Sequence, residues 1–327
     1  MNFNSILGQK EIVTSLKSSI KSGRVGHAYI FSGPAGIGKR SMALIFAKTL
    51  LCDRQDESES CGECIQCRMF DAKSNPDFYL LEADNLSIGV DEIRNIQNDV
   101  VIKPLYSKKK VYLITDADKM TVQAQNCLLK TLEEPPWFAV IILATPSCDA
   151  LIETIRSRAL RYNFKKNSYS EVRSSLEAQF GSNLNGAGFI ASYADGIIGT
   201  ALKLAGSKEF VSIRDSTIEL LVKLTQMKLA DIFEMYGFFE TNRDSVDTVF
   251  DIMLLFYRDI LMLKKTGDEN MLINSDKKDI ILGNASKFSL HKLIKNIEII
   301  ESIRRNIRQN SSYQLSIEVM LMKLQEE

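Results

Sequence analysis

Residues 33–39 read Gly33-Pro34-Ala35-Gly36-Ile37-Gly38-Lys39, the spacing of a loop that wraps phosphate. Glycines let the backbone curl so that successive N–H groups aim at an anion, and the lysine reaches the β/γ phosphates. Hydrolysis needs more. It wants Ser or Thr after the lysine to hold Mg²⁺, and carboxylates at the end of a second buried strand, for the metal and for water. Arg40 stands at the hydroxyl position, and Thr115-Asp116 follows the apolar run 111–114. Both metal contacts are altered together, so no ATPase activity is expected of the chain by itself. The nucleotide-binding set would be Gly33, Gly36, Gly38 and Lys39. Binding of ATP or ADP is an open alternative that Arg40 weakens. Turn formation and helix capping are the competing reading of Asp116 and Asp118.

A second cluster is Cys52, Cys61, Cys64 and Cys67, the last three forming overlapping Cys-x-x-Cys pairs. Four thiolates within sixteen residues can close a tetrahedral zinc site. Disulfides and free thiols are the alternatives. A closed four-sulfur site leaves no position for water, so it would stabilise a surface excursion and catalyse nothing. The only histidines are His27 and His291, which excludes a histidine-cluster zinc site.

The elements that must position these groups follow from hydrophobic period. An amphipathic helix at 9–22 precedes an apolar strand at 28–31, and the loop opens into a helix ending near Leu51. Apolar runs at 78–81, 111–114, 140–144 and 160–164 read as further strands, with helices at 90–101 and 124–134 between them. Alternating strands and helices predict a parallel three-layer α/β domain through about residue 166. Lys108-Lys109-Lys110 reads as a solvated strand entry, with phosphate contact the alternative. Beyond about residue 166 the pattern is helical: 168–180, 187–205, 211–228, 229–240, 246–264, 291–308 and 313–325.

The 327 residues suggest two or three domains. With 41 basic and 41 acidic residues there is no global basic field for nucleic acid, so any such contact must be local or shared. No run of about 18 apolar residues predicts a membrane span, and residues 1–5 do not open a secretory signal. A cytoplasmic setting with reduced thiols is expected.

Three blocks carry a family resemblance: Leu128-Leu129-Lys130-Thr131-Leu132-Glu133-Glu134-Pro135-Pro136, His27-Ala28-Tyr29-Ile30-Phe31-Ser32-Gly33, and Ile155-Arg156-Ser157-Arg158. They resemble the bacterial clamp loader of DNA polymerase III, whose subunits are AAA+ proteins, and within it the delta-prime type. The likeness covers most of residues 1–205, and the last 120 or so match only in helical character and position. The four-cysteine insertion is similar to that family's zinc module. The resemblance implies an α/β plus all-α fold: an AAA+ three-layer domain at 1–166 with the zinc module at about 52–67, a helical lid at 167–207, and a helical collar domain at 208–327.

It also implies a place in a hetero-oligomer with gamma/tau and delta subunits that loads the sliding clamp onto primed DNA. The family's motor subunits carry Asp-Glu where this chain has Thr115-Asp116, Thr where it has Arg40, and a lid arginine where it has Gly199. Ser157-Arg158 is similar to the family's Ser-Arg-Cys, with Ala159 replacing the cysteine. The resemblance implies that Arg158 is an arginine finger for a neighbour's ATP, with Arg156 the runner-up. The competing role is an ion pair at the subunit interface. Thr145 matches a sensor position, expected here to be structural. The alternative function is an active gamma/tau-like motor using Ser41 or Asp118 as substitute metal ligands. Ser41 sits one residue late, a rotation of roughly 100° around the helix.

Overall fold

The computed structural model describes residues 2–55, 58–83, 87–182, 184–225 and 232–325. The helical stretch expected across 226–231, and residues 56 and 57 of the linker between the first two cysteines, lie outside them. The backbone divides into two compact units, one of residues 1–172 with 196–200, the other of 173–195 with 201–327.

Among its described residues the first unit holds five strands: β1 (Ala28–Ser32), β2 (Phe78–Leu81), β3 (Lys110–Ile114), β4 (Ala139–Thr145) and β5 (Leu160–Asn163). They pair in parallel in the order β2-β3-β4-β1-β5. Every residue of β1, β3 and β4 is buried, as near-continuous apolar strands covered on both faces must be. Alternation then assigns the layers. Ala28, Ile30, Tyr112, Ile114, Ile141 and Leu143 pack with α4 (Val90–Val100) and α5 (Val122–Glu133). Tyr29, Phe31, Val111, Leu113, Val140 and Ile142 pack with α1 (Lys10–Lys21) and α2 (Lys39–Leu51). The unit is the expected parallel, three-layer α/β fold. Because β1 sits between β4 and β5, the loop leaving its carboxyl end lies where strand order reverses, the usual ligand position in such sheets.

Two short helices escape the periodicity, α3 (Ile65–Asp71) after the cysteines and α6 (Glu153–Arg156) before β5. One expectation is corrected. Lys110 is not a solvated strand entry: it is buried, with Nζ 2.9 Å from a carboxylate oxygen of Asp99 and donating to the Asp99 carbonyl at 3.1 Å. Sequence spacing does not reveal that partner, because only the packing of α4 on β3 brings it close.

Beyond the sheet the chain is helical: α7 (Tyr169–Phe180), α8 (Ala187–Tyr193), α9 (Ile198–Ala205), α10 (Lys208–Leu224), α11 (Ile232–Thr241), α12 (Val246–Thr266), α13 (Lys278–Ala285), α14 (Leu290–Arg308) and α15 (Tyr313–Gln325). In the second unit α12 is the central member, packing against α10, α13 and α14. Its Phe250, Met253, Phe256, Tyr257 and Ile260 are buried. Full burial of each such side chain is worth about 1.5–3 kcal/mol. Helix α13 has no counterpart in the sequence reading. Its approach is fixed by a buried guanidinium: Arg214 forks onto Asp276 at 2.9 and 2.7 Å and donates to Asn274 at 2.9 Å. No helix among the described residues is long and apolar enough to cross a membrane.

Candidate functional site

The loop after β1 has positive φ at Gly33 (149°), Gly36 (78°) and Gly38 (103°), and Gly38 is the residue from which α2 starts. Side-chain-bearing residues resist this backbone, so glycine chemistry is what shapes the loop. Lys39 folds back over it, Nζ donating to the carbonyls of Gly33 at 2.5 Å and Pro34 at 2.9 Å. Burial lowers the Lys39 pKa, while Asp116 and Asp118 pull it the other way. Beside the loop lies a cleft of about 410 Å³ whose walls include Gly36, Lys39, Arg40, Glu82, Asp116 and Gly199. Ser41 borders the same cleft, so its one-residue offset does not remove it from the wall.

The metal side of the cleft differs from a hydrolytic one. Arg40 reaches Glu82, just past β2, with Nη2 2.8 Å from a carboxylate oxygen. A guanidinium–carboxylate pair thus occupies the region where a hydroxyl would hold Mg²⁺. Thr115 is buried and turned to the neighbouring strand: its N–H and its hydroxyl donate to the Leu81 carbonyl at 3.0 and 3.3 Å. Asp116 has φ of 50°, and its carboxylate lies 3.4 Å from Lys119 Nζ. Thr145 donates to the Ser147 carbonyl at 2.8 Å, with Asp118 at 3.5 Å. These contacts fit turn and strand-end roles. Gly199 sits in the first turn of α9, and its N–H donates to the Gly36 carbonyl at 3.1 Å.

Arg158 lies between α6 and β5. Its Nη2 is 2.9 Å from Glu133, the last residue of α5, and its Nη1 donates to the Thr154 carbonyl at 3.0 Å and to Ser157 Oγ at 3.3 Å. Its side chain keeps 36% exposure against 27% for Arg156, whose Nη1 is taken by Asp149 at 2.8 Å. Of the two, Arg158 is the better presented to a partner. Glu133 was visible in the sequence only as part of the 128–136 block.

The four cysteines converge. Their sulfurs all lie within 4.8 Å of one another, with Cys52–Cys61 at 3.6 Å and Cys52–Cys64 at 3.9 Å. A tetrahedron of sulfurs around one ion at ~2.3 Å has edges of ~3.8 Å, so the set fits a metal such as zinc. Backbone N–H groups of Cys61, Cys64 and Cys67 point at the sulfurs of Cys52, Cys61 and Cys64 at 3.3–3.4 Å, which suits thiolates. Burial pushes the Cys52 and Cys67 thiols up. At Cys64 burial is outweighed by backbone donors from Asp53 and Cys67 and by the neighbouring thiols, bringing it down to about 6.

Two residues between the cysteines fasten this module to the rest of the unit. Glu59 accepts the Phe3 N–H at 3.0 Å and pairs with Lys17 of α1 at 2.7 Å. Gln66 closes a circuit. Its side chain donates to the Tyr106 carbonyl at 3.0 Å, and its own carbonyl accepts from Asn75 Nδ2 at 3.2 Å. Asn75 Oδ1 accepts the Asp77 N–H, and the buried Asp77 carboxylate accepts the N–H groups of Leu105, Tyr106 and Ser107 at 2.6–2.8 Å. Sequence reasoning missed Glu59, Gln66 and Asp77. The Asn75-Pro76-Asp77 turn was the one available signal.

The profile of the family described as DNA polymerase III, delta subunit, matches residues 8–168, and that of DNA polymerase III, delta subunit, C terminal, matches residues 208–326. The chain is 30% identical over 321 residues to DNA polymerase III subunit delta' of Bacillus subtilis, covering 97% of this chain and 96% of that protein. DNA polymerase III subunit tau of the same organism is 28% identical over 349 residues, covering 98% of this chain and 61% of the relative. Among solved structures, a DNA polymerase III gamma subunit-related protein from Thermotoga maritima superposes with a TM-score of 0.47 at 22% identity, covering 95% and 98% of the two chains.

Proposed function

The chain belongs to the DNA polymerase III delta-subunit family of clamp-loader components, and we propose that it is the delta-prime type: a subunit that hydrolyses no ATP itself and lends Arg158 to the ATP site of a neighbour. The observation that carries this is the Arg40–Glu82 pair, a built-in cation and carboxylate in place of a metal-binding hydroxyl. Thr115, at the cleft wall with its hydroxyl committed to the Leu81 carbonyl, and the glycine at position 199 support it. Arg158 supports the second half, since Glu133 holds its guanidinium through Nη2 while about a third of the side chain stays exposed. An arginine finger supplied in trans is worth roughly 10³–10⁵ in rate.

The same reading makes Cys52, Cys61, Cys64 and Cys67 a structural zinc site and treats Gly33, Gly36, Gly38 and Lys39 as a loop retained for shape, with nucleotide binding disfavoured. It assigns 1–166 to the AAA+ domain, 167–207 to a lid and 208–327 to an assembly collar. Its partners are gamma/tau and delta subunits, and it meets the sliding clamp and primed DNA through the cytoplasmic assembly.

The test is clamp- and DNA-stimulated ATPase of the reconstituted assembly with Arg158→Ala, pulldown confirming that the assembly is intact. A fall in turnover by the whole share of one ATP site is expected, with Glu133→Gln retaining turnover. Unchanged turnover in Arg158→Ala overturns the finger. The second reading, an active motor, draws on Ser41 bordering the cleft. Steady-state Mg-ATP hydrolysis by the purified chain at about 1 s⁻¹ or more would establish it.

A further inference from the structure

On the other side of Arg40 from the phosphate loop lies a second cavity, of about 460 Å³, within the first unit. Its geometry follows from two periodicities. Arg40, Leu44 and Lys48 recur every four residues and so form one row along α2, while Phe78, Leu80 and Glu82 alternate onto one side of β2 and its extension. The β2 strand is the edge of the sheet, so the helix layer over it is thin, and α3 contributes only Phe70 and Asp71. The two rows are left with a slot between them.

The slot has an apolar middle and ionic ends. Leu44, Phe70, Phe78 and Leu80 are each only half-buried, and the two phenyl rings meet with centroids 4.6 Å apart. Arg40–Glu82 closes one end at 2.8 Å, and Lys48–Asp71 closes the other at 2.7 Å. Lys73, an exposed lining residue two positions after Asp71 with a left-handed backbone (φ 55°), adds a third cation against two carboxylates and has no ion-pair partner among the described residues. The lining therefore carries one uncompensated positive charge beside four apolar side chains.

We propose that this slot is a binding site for a flat, apolar monoanion: an aromatic ring system bearing one carboxylate or sulfonate, the ring against Phe70, Phe78, Leu44 and Leu80 and the anion at Lys73. The volume lies within the range of small-molecule sites, about 300–1,000 Å³, and a few placed charges in an apolar pocket are what such sites use for orientation. An anion is selected over a cation because the existing ion pairs already satisfy both carboxylates. The slot shares the Arg40–Glu82 pair with the cleft beside the phosphate loop but none of the loop's own residues.

The experiment is a fluorescence titration of the full chain with anilinonaphthalene sulfonate, an aromatic monoanion, alongside the neutral phenylnaphthylamine. Saturable binding at one site per chain is expected. Lys73→Glu reverses the uncompensated charge and Leu44→Trp fills the slot. Lys73→Glu replaces one charge–charge attraction by a repulsion of like size, about 1.4 kcal/mol each, and should weaken the anion up to roughly a hundredfold, while the neutral probe, lacking only the attraction, should be roughly tenfold weaker than the anion in wild type. Leu44→Trp should abolish binding, its thermal midpoint reporting that the fold is kept. Equal affinity of wild type and Lys73→Glu, or of the anionic and neutral probes, overturns the proposal.

Discussion

The N–H of Gly199 donates to the carbonyl of Gly36 at 3.1 Å, and a Cβ built on Gly199 would lie 2.5 Å from that same oxygen. The opening turn of α9 therefore rests directly on the phosphate loop, backbone against backbone. No side chain fits between them, so the position that resembles the lid arginine of motor subunits cannot simply regain it.

Gly199→Ala is expected to destabilise the first unit by about 1–3 kcal/mol, the usual cost of forcing a methyl into a filled contact that cannot yield. Gly199→Arg should be at least as costly. Denaturant midpoints of the two variants check this, and a wild-type midpoint for Gly199→Ala would mean that the α9 turn slides off the loop freely.

Arg40→Thr restores the hydroxyl at the Mg²⁺ position, yet the purified variant should remain without measurable ATPase. Thr115 still faces the Leu81 carbonyl, and Asp116 still lies beside Lys119. The stability change should be small, about 0–1 kcal/mol, because Arg40 and Glu82 keep 55% and 46% exposure and water screens the pair. Turnover appearing on this single substitution would show that Arg40 alone silences the site.

Metal analysis should give one zinc per chain, and Cys61→Ser should lose it. Removal by a chelator should then raise amide exchange at Leu105, Tyr106 and Ser107 and at Phe3, which are tied to the module through Gln66 and Glu59. Exchange in β4 should stay slow. If the metal leaves while those four amides remain protected, the module is only a local excursion.

Alkaline titration should reveal reluctant tyrosines in the second unit, Tyr193 and Tyr313 among them. Burial, reinforced by the nearby Asp251 carboxylate, pushes Tyr193 up to about 12; burial and Glu240 do the same for Tyr313. Both lie above the ordinary tyrosine value of about 10. The folded state thus holds the proton more tightly, so the stability these groups add is complete below pH ~10 and is lost as pH rises toward about 12. Denaturant midpoints for Tyr193→Phe should show a flatter decline over that window than wild type.

Much of this was legible in residue order. The strands announced themselves because parallel strands covered on both faces must be apolar throughout, as 111–114 and 140–144 are. The cysteine cluster was legible because its ligands lie close along the chain. What stayed hidden were partners supplied by topology. Glu82 and Glu133 look like ordinary surface carboxylates until the sheet order and α5 place them against Arg40 and Arg158. Lys110 misled for the same reason, since its partner Asp99 belongs to another layer. Helices as short as α3 and α6 span too few turns for a period to register.

The first unit is not contiguous: it closes with residues 196–200, after the chain has already begun the second. During synthesis the phosphate loop emerges early and must wait for Gly199. From residue 39 to residue 199 that wait is roughly 8–32 s at about 5–20 residues per second. A nascent chain halted with 172 residues emerged is expected to be cut by protease in the 33–39 loop, and one with 200 emerged to resist. The ribosome thus sets the order in which this loop and its cover meet.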